Sequence, residues 1–285
     1  MTTEGTQVLA ERAEPVEQVP PKAARSAEVI QEHIVEIVSD SGEGAQRCGQ
    51  SLASIAARMG MGIWTVEIIP AEIQPPHRSI AGASGNRVRM AAKPVTNIGD
   101  EADLVVAFNE QVLLSRLRAG EVKPGATILM ENAWENDPNP AIATAYLKVC
   151  AEVREAGYKL IEVPMEAECQ KYVPDPRKGK NMFVLGMLCA IYSLDAEKAR
   201  AQVRYIFAKK DPRIINANIE LLDAGRAWAE INLDLAITIP APPVAEEQVV
   251  MNGNAALGLG TVASGMEVCA MYPITPATSA SHYLS

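Results

Sequence analysis

At 285 residues, with 48% hydrophobic and only 5% aromatic side chains, the chain can hold one full domain and part of a second. Its net charge of −9 and pI near 5.0 argue against a nucleic-acid footprint, which needs a basic face. No stretch reaches the roughly 18 consecutive apolar residues of a membrane span. The five cysteines (Cys48, Cys150, Cys169, Cys189, Cys269) include no Cys-x-x-Cys pair, so they supply neither a disulfide framework nor an iron–sulfur or zinc ligand set, and they point to a reduced, cytoplasmic setting.

Residues 1–32 are rich in Glu, Pro and Ala and lack the apolar segment of a secretory signal. They are expected to be a disordered arm. From residue 33 the pattern alternates strand and helix. The β-branched run at 34–38 predicts a strand, Ser39 to Gly44 a tight turn, and Leu52, Ile55, Ala56 and Met59 a helix over 45–59. Strands are expected at 63–69, 88–90, 104–108, 126–130 and 159–163, with helices at 110–118 and 141–156 and a turn at Lys123-Pro124-Gly125. Such alternation predicts an α/β fold with a doubly wound, mainly parallel sheet. A nearly apolar helix at 181–192 and amphipathic helices at 196–209 and 212–235 follow, with Asp195 and Asp211 as N-caps. We expect one domain over 33–235, a proline-rich linker over 236–248, and a second domain starting at 249 and continuing beyond residue 285.

Three features carry possible chemistry. The turn Ser41-Gly42-Glu43-Gly44 lies between a strand and a helix, where glycines let the backbone approach an anion and the helix offers free N–H groups. Gly42 and Gly44 are therefore candidate anion contacts, with help from Arg47. The full Gly-x-Gly-x-x-Gly fingerprint is absent, although Glu67 stands near the spacing of a ribose-binding acid, and an ordinary tight turn is the competing explanation. The segment 74–89 reads as a basic, glycine-containing surface loop whose Arg78, Arg87 and Arg89 are either phosphate contacts or solvated charges. His77, one of three histidines, has no second ligand nearby, and no metal site is expected. Finally, Tyr272-Pro273-Ile274-Thr275-Pro276 follows an apolar run at 268–271. Each proline restrains the residue before it, so the loop is stiff and extended at a strand end, a usual ligand position in open α/β sheets.

The C-terminal stretch, Gly253-Asn254-Ala255-Ala256-Leu257-Gly258-Leu259-Gly260 through Tyr272-Pro273-Ile274-Thr275-Pro276, resembles the start of the pyrimidine-binding domain of 2-oxoacid:ferredoxin oxidoreductases. In many members a γ-type α/β domain precedes it, which is the order read here. The glycine-rich opening of that γ domain often reads Gly-Glu-Gly-Gly-Gln-Gly; here it is Gly42-Glu43-Gly44-Ala45-Gln46-Arg47. The resemblance is greatest to the α subunit of the 2-oxoglutarate enzymes. It implies oxidative decarboxylation of a 2-oxoacid with coenzyme A, or the reverse reaction driven by reduced ferredoxin. The cofactors it implies are thiamine diphosphate with Mg²⁺, bound mainly by a partner β subunit, and a [4Fe–4S] cluster on that subunit, in a hetero-oligomer. It makes Thr275 the catalytic residue, hydrogen-bonding the 2-oxoacid near the thiazolium, with Tyr272, Pro273 and Ile274 shaping the cofactor loop. Pyruvate and branched-chain 2-oxoacids remain alternative substrates. A non-catalytic nucleotide- or coenzyme A-binding module is the alternative of a different class.

Overall fold

The computed structural model describes residues 26–70, 72, 75–242, 249–272 and 277–285. In chain order the elements are β1 (Glu28–Val29), β2 (Glu32–Asp40), α1 (Ala45–Arg58), β3 (Gly62–Ile68), β4 (Ala83–Ala91), β5 (Ala102–Ala107), α2 (Glu110–Arg118), β6 (Val122–Glu131), α3 (Pro140–Glu155), β7 (Lys159–Val163), α4 (Met165–Cys169), α5 (Lys180–Ile191), α6 (Ala196–Ile206), α7 (Pro212–Asn232), β8 (Ile237–Thr238), α8 (Gly253–Ala263) and α9 (Thr278–Leu284).

The main sheet runs β3-β4-β2-β5-β6-β7. Strands β2, β5, β6 and β7 are parallel neighbours, whereas β4 is antiparallel to both β2 and β3. The sheet is thus mixed and mostly parallel. Successive side chains of a strand point to opposite faces, and the sequence uses both. Val35, Ile37, Leu104 and Val106 bury against α1, α5, α6 and α7, while Ile34, Val38, Val105 and Ala107 bury against α2 and α3. Helix α2 starts where expected because Asn109 caps it, its side chain accepting from Gln111 N and Val112 N at 3.0 Å. Asp195 and Asp211 cap α6 and α7 in the same way.

Helices α5 and α7 interlock backbone to backbone. A Cβ on Gly186 would sit 1.9 Å from Leu222 O, and one on Gly225 would sit 1.9 Å from Phe183 O. Only hydrogen fits at either place, which explains two glycines inside otherwise helix-forming segments. Helix α5 is apolar nearly all round and buried along its length, so it is the central helix of its layer.

Several expectations change. Residues 83–91, read mostly as a surface loop with a strand at 88–90, form one nine-residue strand inside the sheet. Arg87 there is 3% exposed and not a phosphate contact: its Nε donates to Glu36 Oε1 at 2.8 Å, and its Nη1 donates to Asp100 O at 2.9 Å. Arg116 grips the same Glu36, with Nε to Oε2 at 2.8 Å and Nη2 to Oε1 at 2.9 Å, and Glu121 meets both arginines. Arg89 pairs with Glu32 at 2.7 Å. The turn expected at 123–125 lies within β6, where Gly125 (φ 78°) falls in a register irregularity between Ala102 and Leu104 of β5. Glu28–Val29, in the stretch read as arm, pairs in parallel with Ile237–Thr238, in the stretch read as linker. Residues 268–271 do not form the expected strand; Val268 and Met271 are exposed and pair with no other strand among the described residues. Among the described residues no helix is long and apolar enough to cross a membrane.

Candidate active site

Every parallel strand carries its ligand-facing loops at its carboxyl end, and the best crevice opens where the chain reverses its direction of strand addition. Here that point lies at β2. From β2 the chain moves through α1 to β3 and β4 on one side, then returns to add β5, β6 and β7 on the other. The carboxyl ends of β2 and β5 flank the turn at residues 41–44, which leads into α1.

Gly42 and Gly44 both adopt left-handed backbone, with φ of 92° and 89°. Among the described residues, the neighbours of Gly42 in the chain apart, no atom lies within 4 Å of where a Cβ on Gly42 would be. A Cβ on Gly44 would come 2.6 Å from Asn181 Nδ2, so α5 approaches this residue closely. Gly44 is the N-cap of α1 and provides no side-chain hydrogen bond to it, and the first turn holds no acidic residue. The first N–H groups of a helix have no intrahelical partner, and the helix dipole favours an anion there by about 0.3–1 kcal/mol, more when partly buried. Arg47 is exposed in that first turn. Asn181 Oδ1 is shielded from solvent and has no hydrogen-bond partner among the described residues.

Two clusters of charge flank the turn. On one side Asp40, at the end of β2, accepts from Arg78 N at 2.8 Å and Asn109 Nδ2 at 3.2 Å through Oδ2, and His77 Nδ1 stands 3.4 Å from the same oxygen. Arg78 has left-handed backbone (φ 52°), uncommon for a residue with a Cβ. Its guanidinium lies 4.3 Å over the Trp134 ring and bonds the buried Glu110. Trp134 is fixed in turn by Nε1 donating to Phe108 O at 2.8 Å. Asp40 Oδ1, Glu110 Oε2 and Arg78 Nε are buried without partners among the described residues.

On the other side Lys180, the first residue of α5, is wholly buried. Its Nζ donates to Glu43 Oε1 at 3.0 Å and Glu166 Oε1 at 2.9 Å, and it sits 5.1 Å from the centre of the Phe108 ring. Burial alone would lower its pKa, but Glu43 and Glu166 outweigh burial and raise it, so Lys180 is held as the ammonium ion. Glu131, at the end of β6, accepts from Ala133 N at 3.0 Å and Glu166 N at 2.9 Å. Burial pushes its carboxyl up to about 7, against the opposing pull of Lys180.

Of the residues singled out from sequence, Gly42, Gly44, Arg47, His77 and Arg78 come together at this edge. Arg87 and Arg89 do not. Glu67 lies on the edge strand β3 and accepts from Gln50 Nε2 at 2.6 Å, far from a ribose-binding role beside the turn. Tyr272 is 81% exposed and lines a small cleft with Leu257, Thr261 and Met271 of the C-terminal segment. Pro273, Ile274, Thr275 and Pro276 lie outside the described residues. Sequence reading passed over Asp40, Glu43, Glu110, Glu131, Glu166 and Lys180. The available signal was position: Asp40 and Glu131 each end an apolar strand, and Lys180 opens an apolar helix.

A family model described as pyruvate ferredoxin/flavodoxin oxidoreductase matches residues 35–228. The chain is 30% identical over 279 residues to the 2-oxoglutarate oxidoreductase subunit KorA of Mycobacterium tuberculosis, covering 92% of this chain and 42% of that protein. It is 29% identical over 203 residues to the ketoisovalerate oxidoreductase subunit VorA of Methanothermobacter marburgensis, covering 70% of this chain and 37% of that one. The chain thus spans less than half the length of these relatives. Among solved structures, 2-oxoglutarate:ferredoxin oxidoreductase from Magnetococcus marinus, with 2-oxoglutarate, coenzyme A and succinyl-CoA bound, superposes with a TM-score of 0.70 at 25% identity, over 90% of this chain and 41% of that one. The γ subunit of a keto/oxoacid ferredoxin oxidoreductase from Geobacter sulfurreducens shares the fold, with a TM-score of 0.50 at 15% identity, over 70% of this chain and 97% of that one.

Proposed function

Because the chain belongs to the pyruvate ferredoxin/flavodoxin oxidoreductase family, we propose that it is the front part of the α subunit of a 2-oxoglutarate:ferredoxin oxidoreductase. The reaction is 2-oxoglutarate, coenzyme A and oxidised ferredoxin to succinyl-CoA, CO₂ and reduced ferredoxin, or its reverse. The observation that carries this reading is the likeness to the M. tuberculosis 2-oxoglutarate oxidoreductase subunit, which covers 92% of this chain. Thiamine diphosphate, held with Mg²⁺ mainly by a β subunit, supplies the carbanion chemistry, and the protein orients the reactants around it. The β subunit also carries a [4Fe–4S] cluster toward ferredoxin.

Two parts of this chain act in the proposal. Thr275 donates a hydrogen bond from its hydroxyl to the 2-oxoacid, and Tyr272, Pro273 and Ile274 contact the cofactor. The turn at Gly42 and Gly44 receives an anionic portion of coenzyme A. The uncapped start of α1 and the open space beside Gly42 support that fit. A second reading keeps the chemistry and changes the substrate to a branched-chain 2-oxoacid, favoured by the likeness to a ketoisovalerate oxidoreductase subunit.

The test is co-expression of the full-length subunit with its β partner, followed by ferredoxin or viologen reduction with 2-oxoglutarate, pyruvate and 2-oxoisovalerate. The proposal expects the highest kcat/KM with 2-oxoglutarate and a requirement for coenzyme A. Equal or better turnover of 2-oxoisovalerate overturns the substrate assignment. In the same complex Thr275→Ala should lower kcat/KM for the 2-oxoacid on the order of 10- to 1000-fold, as expected for loss of one well-placed donor.

A further inference from the structure

We infer that Lys180 is the positioning residue of the Gly42–Gly44 turn, holding it through Glu43 in the shape that receives an anion and tying it to α4. The inference rests on the coenzyme A role of the turn proposed above.

A lysine is a poor choice for α5 itself. It stands at the helix start, the end that repels a cation, and it is wholly buried in a helix whose other side chains are almost all apolar. Removing an ammonium ion from water is costly, and well-packed apolar residues often replace buried ion pairs without loss of stability. Nothing in the packing of α5 calls for the charge.

The turn, in contrast, needs it. Gly42 and Gly44 give the backbone its left-handed path, but glycine loses more freedom on ordering than any other residue. Glu43 is the sole side chain between them, and both its oxygens are engaged. Oε2 accepts from Asp40 N at 3.3 Å, closing the turn onto the end of β2, and Oε1 accepts from Lys180 Nζ at 3.0 Å. The second bond of Lys180, to Glu166 Oε1, reaches α4, and Glu166 N in turn donates to Glu131 Oε2. Among the described residues Lys180 is therefore the one cation through which the turn, the start of α4 and the end of β6 are joined. A binding loop held in its bound shape binds more tightly because less entropy is lost on association.

The experiment uses the full-length subunit in its complex. For Lys180→Met, the inference expects the Kd for coenzyme A, measured by calorimetry, to rise about 10-fold or more, the loss that a charge-assisted hydrogen bond predicts. It also expects faster amide hydrogen exchange at residues 41–47 and a change in KM for the 2-oxoacid of less than about twofold. Glu43→Gln, which keeps the Lys180–Glu166 pair, should show the same pattern more weakly and serves if Lys180→Met does not assemble. A coenzyme A Kd within about twofold of wild type together with unchanged exchange at 41–47 overturns the inference. So does an equal loss of affinity for both substrates, which marks general loosening. Gly44→Ala separates the two levels: an unchanged Kd for coenzyme A in that variant overturns the ligand role of the turn, whereas faster exchange in Lys180→Met upholds the anchoring role of Lys180.

Discussion

Two buried charge networks lie about one sheet, and they are built differently. In the middle of the sheet Glu36 and Glu121 face Arg87 and Arg116, two acids against two bases, and every oxygen of Glu36 is bonded. At the carboxyl edge Asp40, Glu43, Glu110, Glu131 and Glu166 face, among the described residues, one arginine and one lysine, Arg78 and Lys180, with the His77 ring beside Asp40. There a residue with a Cβ takes left-handed backbone, and three buried polar atoms around Arg78 lack partners among the described residues. A balanced, satisfied network costs little to keep and specifies how strands pair. An unbalanced one costs stability, and such cost collects where a protein binds or reacts. The first network reads as architecture and the second as the working edge.

The contrast can be broken most forcefully at its balanced side. Arg87→Met leaves Glu36 without a partner on β4, and breaking a buried pair in this way costs about 3–5 kcal/mol. A large drop in the denaturation midpoint is expected, with little effect on coenzyme A affinity in the molecules that remain folded. A small drop would remove the distinction between the two networks.

The acidic side answers to pH. The Glu131 carboxyl has an ordinary value near 4.5 and is raised to about 7 in the fold. The folded state therefore favours the protonated form. The stability this contributes is complete below about pH 4.5 and is lost as pH rises through about 7, a change of a few kcal/mol at most. Glu131→Gln should flatten that part of the stability–pH curve in chemical denaturation between pH 5 and 8. A curve of unchanged slope would show that Glu131 titrates normally.

The smallest effect belongs at the opposite end of the sheet. His33 Nδ1 lies 2.7 Å from the Tyr192 hydroxyl, and burial lowers the imidazole pKa. The neutral ring is favoured, so this contribution is complete above the unfolded value near 6.5 and is lost as pH falls below it. Tyr192→Phe should cost about 1 kcal/mol at pH 8 and less at pH 5.5, by the same denaturation measurement.

How much of this could be read from the chain follows from the range of each signal. The run Leu104-Val105-Val106-Ala107 announces a buried parallel strand by itself, and Asn109 before α2 announces a helix start. Strand β4 announces only its end, Val88 to Met90. Its Asn86, Arg87 and Arg89 look like surface, and the partner that permits Arg87 to be buried is Glu36, 51 residues earlier. The glycine turn at 42–44 was legible because its backbone geometry is local. The acids around it were not, because Glu43, Glu131, Glu166 and Lys180 meet only once α5 has been laid across the sheet. The expected strand at 268–271 had the apolar residues of a strand, but a strand also needs a neighbour to bond with.

The glycine interlock of α5 and α7 then acts as a length gauge. With Gly186 against Leu222 O and Gly225 against Phe183 O, α5 can neither slide nor turn on its axis. Each residue of a helix advances the direction of a side chain by about 100°. Deleting one residue between Lys180 and Phe183 would leave the interlock engaged and swing the ammonium group about a quarter turn away from Glu43. The six-residue spacing from Lys180 to Gly186 is thus as much a part of the edge's chemistry as the lysine itself.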